Sequence, residues 1–243
     1  MNIVLLERTQ NARELVYAAF RQCYSKEFIG KIWPKLISGE ITPEQQTRLI
    51  QDTLKSGHVT PVEHVKFTFA IEGVSRSLTH QLVRHRIASY SHQSQRYVDS
   101  TQFEYITPPS INKIEEVKKE FDNLMKLINE KYKYIQEKLI EAGRTKSQAN
   151  EDSRFVLPNA CETKIVVTMN CSSLNHFFGL RCCQRAQWEI RNLANEMYNI
   201  SKEEVPEIFS EKSGERCEKL GYCPENEKFS CGRYKTLQKI LGN

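Results

Sequence analysis

Residues Gly73 to Val98 read GVSRSLTHQLVRHRIASYSHQSQRYV, and no aspartate or glutamate interrupts them. Arg76, Arg84, Arg86 and Arg96 share this stretch with His80, His85 and His92. Cations crowded without carboxylates repel one another unless an anion neutralises them. Guanidinium forks match phosphate oxygens, and such a charge-assisted bond is roughly twice as strong as a neutral one. Arg84-His85-Arg86 through Arg96 therefore reads as an anion site, most simply a phosphate site. Between the arginines, Ser89, Ser91, Gln93, Ser94 and Gln95 offer hydroxyls and amides that can read a nucleobase or sugar edge. Tyr90 and Tyr97 can stack or pack. The plain alternative is a polar loop capped by its own serines.

Regular structure surrounds this stretch. Upstream, Val65, Phe67, Phe69 and Ile71 alternate with Lys66, Thr68, Ala70 and Glu72, which predicts a half-buried strand over 65–72. A short helix from Ser75 to about Val83 follows. Nearer the N-terminus, Asn2 to Leu6 reads as a strand, and Ala12 to Tyr24 as a helix with Leu15, Val16, Ala19 and Phe20 on one face. Thr42-Pro43-Glu44-Gln45 has the form of a capping box with proline in the first turn, opening a helix that ends near Ser56 before Gly57. Downstream, threes-and-fours spacing from Ile114 to Leu139 predicts one long amphipathic helix, opened by Asn112 with Glu115 as capping partner and closed near Gly143. A helix over 146–155, a strand over 164–169, and helices over 172–180 and 186–198 complete the pattern. The expected fold is α+β, helix-rich with a small central β-sheet. It is a single domain over 1–243, with 201–243 as a C-terminal tail.

Composition removes several classes. The chain has 243 residues, Lys+Arg 35 against Asp+Glu 30, and a net charge of +5. That is mildly basic, which suits anionic ligands without demanding nucleic acid. No apolar run approaches the roughly 20 residues of a spanning helix, and Glu7-Arg8 follows too soon for a signal peptide. A cytoplasmic protein with no membrane partner is expected. Its eight cysteines are then expected as thiols. The ten glycines never fall closer than seven positions apart, so no G-x-G-x-x-G or Walker loop exists. Any nucleotide must be held by side chains in a non-Rossmann setting. No G-x-S-x-G occurs, His58 and His64 lack the H-E-x-x-H spacing, and the segment is poor in the carboxylates magnesium needs.

Arg84-His85-Arg86, seven residues, then Ser94 resembles the signature of flavin-dependent thymidylate synthases. The resemblance extends to Gly57-His58-Val59-Thr60-Pro61-Val62-Glu63-His64, to Arg154-Phe155-Val156-Leu157-Pro158, to Thr168-Met169-Asn170, and to Leu180-Arg181 with Ala186-Gln187-Trp188-Glu189. It implies methylation of dUMP to dTMP, with methylenetetrahydrofolate as carbon donor and NADPH as reductant through bound FAD. It also implies a homotetramer whose sites are shared between subunits. By this resemblance Thr60, Arg84, His85, Arg86 and His92 contact FAD, and Asn170, Cys171, Ser172 and His176 line the flavin. Gln81, Leu82, Val83 and Arg84 contact dUMP, joined by His92, Gln93, Ser94, Gln95 and Arg96 from a neighbouring subunit and by Arg154. Arg181 matches the arginine that polarises the pyrimidine, an electrostatic catalytic role.

His92 stands where the family often carries a carboxamide or carboxylate. Ser94 lacks an evident base and is assigned to substrate binding. Cys182 and Cys183 follow Arg181, yet a flavin mechanism needs no thiolate, and inert thiols are expected. Cys217, Cys223 and Cys231 lack a tight C-x2-C pair, so no metal is expected and the tail is read as a capping segment. Two other classes remain open: a single-stranded nucleic-acid module with Arg84, Arg86, Arg96, Tyr90 and Tyr97 as a stacking platform, and a metal-dependent nucleotide hydrolase.

Overall fold

The computed structural model describes residues 1–209 and 214–242; positions 210–213 and 243 of the expected tail lie outside the described residues. Four strands form one sheet in the order β1-β2-β4-β3: β1 (Asn2–Arg8), β2 (Lys66–Ser75), β3 (Ser89–His92) and β4 (Glu162–Asn170). The helices are α1 (Ala12–Tyr24), α2 (Trp33–Ile37), α3 (Pro43–Lys55), α4 (Arg76–Leu82), α5 (Pro109–Asn112), α6 (Glu115–Glu141), α7 (Lys146–Ser153), α8 (Cys171–Arg181), α9 (Trp188–Glu204), α10 (Arg216–Leu220) and α11 (Leu237–Leu241). This is the expected helix-rich α+β architecture. The sheet is built without the parallel β-α-β crossovers of a dinucleotide fold, as β1 and β2 run antiparallel: Asn2 bonds Glu72 at one end, and the Thr9 amide donates to the Lys66 carbonyl at the other.

Two compact units divide the chain. The first comprises Met1–Asn2, Ala70–Arg84 and Tyr90–Val166. Its core lies where α6 meets α7. Tyr132 and Met125 are buried there, and Gln136 donates through Nε2 to Asn150 Oδ1 at 2.5 Å. The second comprises Ile3–Phe69, His85–Ser89 and Val167–Asn243. Its core is aromatic: Phe67, Phe178 and Phe209 meet edge to face, with Phe177 beside Phe178.

Local chemistry accounts for the elements that carry functional residues. Val65, Phe67, Phe69 and Ile71 are all buried, as their alternation requires. Ser75 caps α4 by accepting the Leu78 amide at 3.0 Å. The α3 capping box forms in both directions, with Gln45 accepting from the Thr42 amide at 2.9 Å. Asn170 caps α8 by accepting the Ser173 amide at 2.8 Å.

Two local expectations are corrected. Asn112 does not cap the long helix; it ends α5, and α6 starts after Ile114 without a side-chain cap. Pro108 and Pro109 have already set a separate turn of helix there. Ser89 to His92 is an edge strand rather than a loop. Tyr90 and His92 are half-buried while Ser89 and Ser91 are exposed, a period of two hidden by the polar composition.

Candidate active site

The first unit gathers the serine- and glutamine-rich stretch around Arg76. This arginine opens α4, where its guanidinium is half-buried. One terminal nitrogen donates to the Gln93 carbonyl at 2.6 Å, and the other donates to His92 Nδ1 at 3.2 Å. His92 Nε2 lies 3.0 Å from the Thr163 hydroxyl. A guanidinium has only donors, so His92 Nδ1 must accept and the ring proton sits on Nε2, facing Thr163. Burial, then the charges of Arg76 and His80, lower the His92 pKa to about 4. Burial also lowers Arg76, and neighbouring Arg154 adds to that. The Arg76 Nε is buried with no hydrogen-bond partner.

Past His92 the chain is pinned further. The Gln93 amide donates to the Lys164 carbonyl at 2.9 Å, and the Arg96 amide donates to Ser94 Oγ at 3.2 Å. Asn150 donates to the Arg96 carbonyl at 3.0 Å. Gln93, Ser94, Gln95 and Arg76 line a polar cavity of about 250 Å³ with Glu162 and Lys164.

The arginines are not equally available. Arg96 pairs with Glu151 at 3.1 Å, so the acid missing from its own segment comes from α7. This corrects the view of an arginine without a carboxylate, and it weakens the nucleic-acid reading, because a platform arginine is already neutralised within the chain. Tyr90 is not a stacking platform either. It is half-buried, its hydroxyl donates to the Leu82 carbonyl at 2.8 Å, and burial raises its pKa to about 12. Among the described residues, Arg84, Arg86 and Arg154 have no ion-pair partner. Leu82 is wholly buried, Gln81 is half-buried, and Val83 is exposed beside Arg84.

The second unit holds a parallel arrangement. Arg181, the last residue of α8, donates from Nε to His85 Nε2 at 3.1 Å. His85 therefore accepts at Nε2 and carries its proton on Nδ1. Burial, then Arg181 and His176, lower its pKa to about 4. Its ring stands edge-on to Phe177 at 5.0 Å and near His176 at 6.2 Å. Arg181 is itself lowered by burial. A cavity of about 360 Å³ is lined by Ser172, Asn175 and His176 of α8 and by Val59. Another, of about 630 Å³ and mostly apolar, is lined by Thr60, His58, Trp33 and Phe28. His58 is set there by the Tyr24 hydroxyl, 2.9 Å from Nδ1.

Burial raises the thiols of Cys171, of Cys182 (to about 12) and of Cys217 (to about 11), which keeps them protonated. Cys171 is wholly buried. Among the described residues no three His, Cys, Asp or Glu side chains converge to hold a metal ion. No helix among them is long and apolar enough to cross a membrane.

A family model described as Thymidylate synthase complementing protein matches residues 4–207. The flavin-dependent thymidylate synthase of Nitratidesulfovibrio vulgaris is 55% identical over 238 residues, spanning 98% of this chain and 97% of its own. The chain belongs to the flavin-dependent thymidylate synthase family. The enzyme of that name from Clostridium tetani is 45% identical over 248 residues, covering 99% of this chain and 96% of its own. The crystal structure of the flavin-dependent thymidylate synthase of Helicobacter pylori, complexed with FAD and dUMP, shares the fold with a TM-score of 0.62 at 23% identity. That match covers 86% of this chain and 98% of the other.

Arg76 and Thr163 are the residues of this site to which sequence reading gave no role. Arg76 was visible only as one of several arginines. Thr163 carried no signal, because only the pairing of β3 with β4 sets it opposite His92.

Proposed function

We propose that the chain catalyses the reductive methylation of dUMP to dTMP, with methylenetetrahydrofolate as carbon donor and NADPH as reductant through bound FAD. Membership in the family supports this. The observation that carries it is the Arg181–His85 contact, which uses Nε of Arg181 and leaves its two terminal nitrogens for a ligand. Two N–H groups held so are suited to a pyrimidine carbonyl and to negative charge growing at N3. FAD, when bound, supplies the hydride chemistry. The donor set fits an anionic flavin nucleotide: Thr60, Arg84, His85, Arg86, Ser172 and His176 are polar or cationic, and apolar cavity walls adjoin Thr60. The Oδ1 of Asn170 caps α8, which leaves its amide nitrogen for the flavin. Cys171 contributes packing behind that wall, and Leu82 contributes its backbone.

For dUMP, Arg84 and Arg154 serve the phosphate, with Gln81, Val83, Gln93, Ser94, Gln95 and Arg96 around the nucleotide. Both ring nitrogens of His92 are engaged within the chain, so we assign His92 to holding this stretch rather than to touching FAD or dUMP. We further read 1–243 as one functional domain with 201–243 as its tail, acting in the cytoplasm as a homotetramer. Exposed Val117, Leu124 and Leu127 on one face of α6 support association, because a helix face with that much exposed apolar surface calls for cover.

The test is the visible spectrum of protein reconstituted with FAD. A band near about 450 nm should bleach with NADPH and return when dUMP and methylenetetrahydrofolate are added, with dTMP formed. A chain that takes up no flavin, or makes no dTMP, overturns the reading. Light scattering of the eluted protein reports the tetramer.

A further inference from the structure

Beyond residue 207, where the matched family model ends, the tail brings charge to the wall formed by Ser172, Asn175 and His176. The cavity of about 360 Å³ beside Ser172, Asn175 and His176 is closed on its other side by Arg216 and Lys219 of α10. The described acids next to these cations are paired with another residue. Glu215 and Glu218 both pair with Arg233, at 2.6 and 2.7 Å. Among the described residues neither Arg216 nor Lys219 has an ion-pair partner. The approach is close: a Cβ placed on Gly179 would lie 3.0 Å from Cγ of Arg216, so the missing side chain on α8 makes room for the arginine stem. Two unpaired cations facing hydroxyl, amide and imidazole groups suit a diphosphate. An arginine fork and an ammonium together can serve both phosphoryl groups.

We propose that Arg216 and Lys219 of the C-terminal tail bind the diphosphate of FAD. This inference rests on the flavoprotein reading above. FAD is the anionic ligand already assigned to Ser172 and His176, which share the cavity with these two cations. The tail is then part of the cofactor site rather than a cap alone.

The test is titration of the flavin-free full chain with FAD, followed by quenching of flavin fluorescence. Arg216→Glu with Lys219→Glu should raise the Kd for FAD by at least ~10-fold, and Arg216→Gln with Lys219→Gln by less. Riboflavin, which has no phosphate, should bind all three proteins alike. At saturating FAD, the KM for NADPH should stay unchanged. An FAD Kd within about twofold of the unmodified chain in the charge-reversed protein overturns the proposal. So does an equal loss of riboflavin and FAD, which marks a disturbed fold, or a change confined to the KM for NADPH, which assigns the cations to the reductant's phosphates. If the unmodified chain binds no FAD, the flavoprotein reading fails first and this proposal falls with it.

Discussion

Arg181 meets His85 through Nε, whereas Arg76 meets His92 through a terminal nitrogen and spends the other on the Gln93 carbonyl. Both histidines are neutral, with values lowered to about 4, and both owe this first to burial and then to the adjacent arginine. Their protons lie on opposite nitrogens: Nδ1 in His85 and Nε2 in His92. What separates the two pairs is where the guanidinium has capacity left. Both terminal nitrogens of Arg76 are engaged by the chain, and it holds structure. Arg181 keeps its paired terminal N–H groups, the part of the side chain that recognises a planar acceptor. Two arginines that each meet a buried histidine thus have different work, and hydrogen-bond accounting tells them apart.

The sharpest way to break this contrast is to truncate each arginine. Arg181→Ala should lower dTMP formation by about 10²- to 10³-fold, the usual loss for one preorganised electrostatic donor, while FAD remains bound. Near-native turnover would end the catalytic role. Arg76→Met should act on binding instead. We expect the Kd for dUMP, measured calorimetrically, to rise about 10- to 100-fold as the His92–Arg96 stretch loses its anchor, in line with about 1.5–3 kcal/mol for a bond to a charged group. An Arg76→Met protein that binds dUMP normally but turns over slowly would reverse the assignment.

Thr163→Val removes the acceptor for the His92 ring proton with little change of shape. It should lower stability to urea by about 1 kcal/mol, and an unchanged midpoint would mean that His92 carries its proton elsewhere. His92→Gln should be the mildest change. A carboxamide can accept from Arg76 and donate to Thr163, as the Nε2–H ring does, so kcat/KM should stay within about threefold of the unmodified chain. His92→Leu, which can do neither, should fall below it.

Acid separates folded from unfolded imidazoles. The usual histidine value is 6.5, and His85 and His92 titrate at about 4 in the fold. Between these values the unfolded chain binds more protons, so stability rises with pH there. The contribution is complete above about 6.5, declines on acidification, and is gone once pH falls through about 4. The melting temperature should therefore drop across this window, and His92→Gln should flatten the slope. An unaltered slope would show that His92 is not one of the buried neutral groups.

Much of this was legible in the residues. The β2 alternation and the Thr42–Gln45 box depend on neighbours a few positions away, and each formed as its local chemistry requires. Where a polar segment became a strand, local reading failed. Ser89 to His92 has no hydrophobic stripe, and its pairing with β4 comes from residues some 70 positions later. The Asn112 cap failed for a similar reason, as the two prolines before it had already claimed the turn.

By itself the sequence determined the long elements, the excess of arginine near one strand, the lack of any glycine-rich phosphate loop, and the family signature. These are properties of composition and short-range spacing. Only the tertiary structure decided which arginines were occupied. Glu151 reaches Arg96 from α7, Thr163 fixes the proton on His92, and Arg233 pairs with Glu215 and Glu218 while Arg216 and Lys219 have no ion-pair partner among the described residues. Charge is written in the chain, but whether a charge is already satisfied depends on distances between residues far apart in sequence, and those exist only after folding.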